Sequence, residues 1–261
     1  MADEAVITLD IDWAPDFVID AVADILIRRG VKASWFITHD SPAVRRLMTR
    51  PELFDLGLHP NFLPGSSHGN TVTEVFASLL RILPEARSMR THGLVQSTTI
   101  LAEAAEIGIT IDVSIYMPHA THLAPHHFRM TDSNGGLVRI PYYWEDDIET
   151  LRQDRTWRVE PRTMALPGLK VFDFHPIHVF LNTDTLTDYT ELKRQGDLPG
   201  LPETTVGNYV NRTNRGTGDL FRDLLEYVVT VQGSTYTVRD IAEAWKDGHE
   251  NRHSRTYTSA V

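Results

Sequence analysis

Apolar runs and amphipathic stretches alternate along the first 116 residues. Val6, Ile7, Leu9 and Ile11 predict a buried strand over residues 5–12. The next stretch, DFVIDAVADILIRRG, repeats Val18, Val22, Ile25 and Leu26 at helical spacing before Gly30, a natural helix stop. VKASWFIT reads as a second strand. SPAVRRLMTRPELFDLG predicts a helix with Ser41 as cap and Pro42 in its first position, followed by the short strand GLHPNF. TVTEVFASLLRILPEA (helix), SMRTHGL (strand), STTILAEAAEIG (helix opened by Ser97) and ITIDVSI (strand) continue the series. This β-α-β-α order predicts an α/β fold with a parallel sheet inside, helices outside and a ligand site at the carboxyl ends of the strands.

Beyond residue 116 the pattern loosens. YMPHATHLAPHHFRMTDSNGG reads as a long loop, LVRIPYYWEDD as a strand entering an acidic turn, and GLKVFDFHPIHVFL as a strong strand. Residues 182–214 are a polar excursion. GDLFRDLLEYVVTVQ predicts an amphipathic helix with Leu220, Phe221, Leu224, Leu225 and Val228 on one face, and TVRDIAEAWKDG a last helix. Residues 248–261 read as a frayed tail, leaving one domain over 1–247 with no internal repeat.

Composition narrows the function. Of 261 residues 41% are hydrophobic, enough for a sizeable core. A net charge of -10, from 35 acidic against 25 basic residues, argues against nucleic acid as a partner. Cysteine is absent, which leaves His, Asp and Glu as available metal ligands. The start, MADEAV, lacks the features of a secretory signal, and no apolar run is long enough to span a membrane, so a cytoplasmic protein is expected.

The candidate chemistry lies at the predicted strand ends. Side chains two apart on a strand share a face, so Thr8, Asp10 and Asp12 are expected to project together. Two carboxylates so close call for a cation or a shared proton. The alternative, that Asp12 only caps the helix near Pro15, leaves Asp10 unexplained. His59, then Arg90 with His92, then His175 with His178 end later strands.

In this order the residues resemble the polysaccharide deacetylase family, the NodB-homology fold of carbohydrate esterase family 4. TLDIDW is similar to its first motif, T-F-D-D, with one residue inserted between the acids. GLHPNF stands in the place of its His-Ser/Thr-x-x-His motif, RTHG in that of R-x-P-Y, YYWEDD in that of its Asp/Trp motif, and FDFHPIH in that of its closing His motif. The resemblance spans roughly residues 5–180 and looks nearest to an intracellular branch associated with surface-polysaccharide gene clusters. It implies a distorted (β/α)7-type barrel and hydrolysis of an amide C–N bond. Residue by residue, Asp10 becomes the general base, Asp12 and His59 metal ligands, Arg90 the group that orients the base with support from Asp146 or Asp147, and His175 the general acid.

The chain also departs from the family. Leu63 stands where the second motif histidine belongs, so the third ligand is open between His92, which shares a strand face with Arg90, and His68 on a Gly- and Ser-containing loop. His68 is equally read as an ordinary loop residue. Asn61 is a weaker oxygen donor, and Trp13, Asn61, Trp144, Asp146 and His178 are candidate substrate contacts. Zinc is the leading ion, with nickel, cobalt or iron as alternatives. RIPY at 139–142 matches the third motif but follows the wrong helix, so Arg139 is assigned to packing or substrate contact. Tyr142, Tyr143 and Trp144 are read either as stacking on a sugar or as core residues. The four histidines of PHATHLAPHHF read as a solvated surface rather than a second metal site, and Arg212 and Arg215 either bind an anion near a helix start capped by Thr217 or belong to an ordinary loop. The expected substrate is an N-acetylated or N-formylated sugar, on a nucleotide- or lipid-linked precursor rather than an exported polymer. The rivals are a glycoside hydrolase, disfavoured by two carboxylates sharing one strand, and a non-catalytic carbohydrate-binding or assembly protein. The oligomeric state is left open.

Overall fold

The computed structural model describes residues 3–129 and 136–258, with side chains to residue 248. Nine strands are present among them: β1 (Ala5–Asp10), β2 (Ala33–Ile37), β3 (Phe54–Leu58), β4 (Ser88–Met89), β5 (Ile111–Tyr116), β6 (His126–Phe128), β7 (Leu137–Tyr142), β8 (Trp144–Glu145) and β9 (Lys170–Phe174). They form one sheet in the order β6-β7-β5-β4-β3-β2-β1-β9-β8. Only the β6–β7 pair is antiparallel.

This open-looking order hides a closure. β7 and β8 are consecutive in the chain, separated by Tyr143, whose N–H donates to the Val171 carbonyl at 2.8 Å. One broken stave therefore pairs with β5 through its first half and with β9 through its second. Seven parallel staves result, closed into the distorted barrel that the sequence led us to expect. The short β6 takes the free edge of β7 at its amino end, below the closure.

Alternation along the staves divides the core in two. Val6, Phe36, Val113, Ile140, Tyr142 and Val171 pack together, and Val238, Ile241 and Ala242 of the last helix pack against them. Leu9 and Trp35 belong to the larger layer against the helices. Helix α1 (Asp16–Arg29) buries Val18, Ile19, Val22, Ala23 and Leu26 and ends at Gly30, whose φ of 63° makes the left-handed cap. Ser41 caps α2 (Pro42–Met48) and Ser97 caps the helix Thr98–Glu106, each accepting a backbone N–H three residues on. At Gly57 a Cβ would lie 2.7 Å from the Ser88 carbonyl oxygen and 2.8 Å from Phe36, so β3 and β4 can approach only because that residue has no side chain.

Several boundaries differ from the sequence expectation. FDFHPIHVFL is not one strand: β9 stops at Phe174, and Pro176 opens the helix Pro176–Leu181, its fixed φ suiting the first helical position. SMRTHGL keeps only two strand residues before a tight turn at His92–Leu94, with Gly93 at φ 59°. The excursion at 182–214 contains the helices Leu186–Lys193 and Glu203–Gly207. The last helix, Val238–Thr258, continues past residue 248, where the sequence predicts a tail. The predicted loop after residue 116 contains β6, and its residues 130–135 lie outside those described. No helix among the described residues is long and apolar enough to cross a membrane.

Candidate metal centre and catalytic end

The carboxyl ends of β1, β3, β4 and β9 bring most of the expected residues together, by a route that strand alternation did not foresee. β1 ends at Asp10, and Thr8 and Asp10 share its inner face as expected. Asp12 does not continue that face. It and Trp13 both adopt left-handed backbone (φ 38° and 55°), a conformation that costs a residue with a side chain about 1 kcal/mol and is kept where surrounding contacts hold it. The turn carries the Asp12 carboxylate over the strand end toward His59 and His92.

Asp12 Oδ1 lies 3.1 Å from His59 Nε2 and 3.0 Å from His92 Nδ1, and these two nitrogens are 3.2 Å apart. Such a triangle has nearly the edge expected between donors sharing an ion at about 2.0–2.2 Å, which is roughly 3–3.5 Å. Two observations fit a cation better than a hydrogen-bonded cluster. Among the described residues Asp12 Oδ1 is buried without a hydrogen-bond partner. The donor set, one carboxylate oxygen and two imidazoles, suits zinc and its neighbours. Burial works against ionising Asp12, but His59, His92 and His175 outweigh it and hold its carboxyl well below the usual range. Burial likewise disfavours a charge on His92, and Asp12 more than offsets this, raising its pKa. Asp12 and His92 are also the accessible members, with side chains 19% and 25% exposed against 2% for His59.

Beneath the triangle runs a buried ionic layer. Arg90 is sandwiched between the Phe36 and Tyr142 rings, its guanidinium carbon 4.7 and 4.6 Å from their centres. It donates to Asp10 Oδ1 at 2.9 Å, to Thr8 Oγ1 at 2.8 Å, to the Val113 carbonyl at 3.3 Å and to Asp173. Asp10 Oδ2 faces His59 Nδ1 at 3.4 Å. Burial pushes the Asp173 carboxyl well up, opposed by Arg90 and reinforced by Asp10. Asp173 is the partner that sequence reasoning missed. Its signal was an acid alternating with phenylalanines in VFDFH, two residues before His175 and therefore on its face.

Opposite the triangle, His175 Nδ1 lies 2.7 Å from Asp146 Oδ1, and its backbone N–H donates to Asp146 Oδ2 at 2.8 Å. Its Nε2 points toward Asp12 Oδ2 at 3.7 Å. Burial disfavours the imidazolium, yet Asp146, Asp147 and Asp12 outweigh it and raise the His175 pKa well above its usual value. Asp146 therefore positions His175; it neither supports Arg90 nor reaches toward substrate, because it is fully buried. His178 is buried as well, with Nε2 2.7 Å from Asp147 and Nδ1 3.0 Å from Thr183 Oγ1, so it braces the acidic turn rather than facing a ligand.

The remaining candidates separate clearly. His68 lies outside the triangle: Nε2 is 2.7 Å from the Thr38 carbonyl oxygen and Nδ1 accepts the Asn61 N–H at 3.1 Å, so both ring nitrogens are already engaged by backbone. Asn61 accepts the Leu63 N–H at 2.9 Å, shaping the same loop. Trp13 touches both histidines, 5.3 Å from the His92 ring edge-on and 5.6 Å from His68, and forms part of the site wall. Trp144 faces outward into a cluster with Trp157, Phe172 and Phe174, away from the barrel end. Arg139 donates to Asp112 Oδ2 at 2.6 Å, a packing role between β5 and β7. Among the described residues, the histidines at 119–127 do not enter any group placed to share an ion.

A solved structure from Bordetella bronchiseptica agrees with this architecture. The chain is 33% identical to a protein from Bordetella bronchiseptica described as a polysaccharide deacetylase involved in O-antigen biosynthesis; the match covers 86% of this chain and 90% of that one, with a TM-score of 0.76. A family 4 carbohydrate esterase from Bacillus anthracis matches over 93% of this chain and 83% of its own at 13% identity and a TM-score of 0.46. No match emerges among curated proteins. The fold is thus that of the polysaccharide deacetylases. Within that class the chain belongs to the WbmS-like polysaccharide deacetylase family, whose model matches residues 7–193.

Proposed function

We propose that this protein hydrolyses the amide C–N bond of an N-acylated sugar, using a divalent ion held by Asp12, His59 and His92. The observation that carries the reading is the triangle of 3.0–3.2 Å edges facing His175, itself fixed by Asp146. When bound, the ion supplies Lewis acidity, polarising a carbonyl and lowering the pKa of water. His175, held as an imidazolium by Asp146, donates its Nε2 proton to the departing amine nitrogen as the C–N bond breaks. Arg90 holds Asp10 in place, and Asp10 takes the proton from the attacking water. Trp13 walls the entrance. Zinc is the ion we favour. The relative's link to O-antigen biosynthesis supports an acylated sugar of a surface polysaccharide precursor as substrate, handled in the cytoplasm.

One observation favours a second role for Asp10. Its Oδ2 faces the far nitrogen of His59 at 3.4 Å and the residue is buried, the arrangement by which a carboxylate orients a metal-ligating imidazole. Asp10→Asn separates the two. A base gives a variant that keeps its ion and loses turnover; an orienting carboxylate gives about 10–100-fold weaker ion binding. The reading as a whole is tested by assaying acetate or formate release from N-acylated sugars and their nucleotide-linked forms, alongside metal analysis. Protein that carries no transition metal as purified, and gains no activity on adding zinc, nickel, cobalt or iron, would refute it.

A further inference from the structure

A cavity of about 420 Å³ lies on the outside of the barrel wall, remote in kind from the catalytic end. On β9, Asp173 faces inward to Arg90, so its neighbour Phe172 faces outward. Phe172 joins Tyr143, Trp144 and Trp157 to form apolar walls, and the segment between β8 and β9, which includes the helix Pro161–Met164, covers them.

Set into these walls is an ion-pair cluster whose buried atoms lack aligned hydrogen bonds. Glu149, its side chain only 9% exposed, has Oε2 buried with no hydrogen-bond partner among the described residues. His119 Nε2 and Arg152 Nε approach it at 3.3 and 3.6 Å but are themselves without hydrogen bonds, as is Trp157 Nε1. Each such group costs about 1–3 kcal/mol unless something satisfies it. His119 and Arg152 offset part of that cost by pairing with Glu149 through charge, and the hydrogen bonds left unmade around this cavity point to an occupant.

Their chemistry selects its class. An anion would meet the Glu149 carboxylate at the centre of the cluster, and a cation would meet Arg152 and His119. A group that donates to Glu149 and accepts from its neighbours at the same time is an O–H, of water or of a ligand hydroxyl that displaces it. A ligand that combines several hydroxyls with a flat C–H face to lie on aromatic rings is a sugar ring. We propose that this cavity is a second carbohydrate-binding site, recognising a neutral sugar ring by Glu149, His119 and Arg152 against the Trp157 and Tyr143 walls. The inference does not depend on the hydrolase reading, since binding here needs neither the ion nor turnover.

The test is titration calorimetry on the full chain with glucose, N-acetylglucosamine and their β1,4-linked disaccharides, and with inorganic phosphate as control. Saturable binding of a sugar is expected in the natural chain and in Asp12→Ala, weakened at least about tenfold in Glu149→Gln and in Arg152→Ala, the loss expected when a hydrogen bond to a charged group is removed. Circular dichroism checks that each variant folds, and the half-exposed Arg152 provides the milder change should Glu149→Gln fail. Absence of saturation with every sugar, binding by phosphate alone, or binding lost in Asp12→Ala but unchanged in both cavity variants overturns the proposal.

Discussion

His59 Nε2 and His92 Nδ1 lie 3.2 Å apart although 33 positions separate them in sequence. The contact replaces a pairing that the family motif draws from a single loop, and it makes His92 the third ligand of the proposed ion. His92→Ala is expected to lose metal by more than the roughly 10–100-fold that outer partners of a ligand cost, as measured by inductively coupled plasma analysis after dialysis. His68→Ala is expected to keep its metal and instead lose about 1–3 kcal/mol of stability, because the Thr38 carbonyl and the Asn61 N–H lose a buried partner. Equal metal loss in both variants would contradict this assignment.

Asp146→Asn removes the carboxylate that favours the charged form of His175 while conserving shape. If His175 is the proton donor, kcat falls by about two to four orders of magnitude with little change in KM. A comparable rise in KM alone would instead make the residue a substrate contact.

Arg90 holds Asp10 and Asp173 apart in a layer that is 1–3% exposed. Arg90→Met leaves both acids buried without their cation and is expected to cost about 3–5 kcal/mol in urea denaturation. Adding Asp173→Asn to that variant removes one stranded acid and should restore part of the loss, whereas additive damage would show that the two side chains act independently.

Asp240 gives a pH-dependent prediction far from the site. It accepts the Thr237 N–H at 2.9 Å and the Lys32 ammonium at 3.1 Å, while its own N–H donates to Thr237 Oγ1 at 3.1 Å, closing a capping box on the last helix. Burial opposes its charge, but Thr237 and Lys32 prevail and depress its pKa in the folded state. A depressed carboxyl stabilises above its unfolded pKa of about 3.9 and loses that effect as pH falls through the folded value. Asp240→Ala should therefore cost about 1 kcal/mol near neutrality, a difference that narrows in thermal melts below about pH 4.

The barrel was legible because its staves are written as apolar runs punctuated by helices of the right length, and Ser41, Ser97 and Gly30 mark helix ends by local chemistry alone. The candidate set was legible as residue types at strand ends, and Asp10, His59, Arg90 and His175 do gather there. What alternation could not supply was direction. Asp12 reaches its partners through two left-handed residues rather than along the strand; aspartate tolerates that conformation better than most side chains, but Trp13 does not announce it. What favours His92 over His68 as a ligand, that backbone groups already engage both His68 ring nitrogens, is a matter of tertiary contact. Trp144, Asp146 and His178 sit beside the right residues in sequence, but neighbours on a strand or tight helix face different ways, and these three turned inward or to the outer wall.

The stave that breaks at Tyr143 has a mechanical meaning. A ring of strands whose last joint is made by Trp144, Glu145 and a single Tyr143–Val171 hydrogen bond resembles a clasp more than a weld. Asp146 follows it directly and holds His175 across it, so the clasp and the proposed proton donor are fastened by the same few residues. Anything that springs this joint also disengages His175, which ties the mechanical integrity of the ring to its capacity to react.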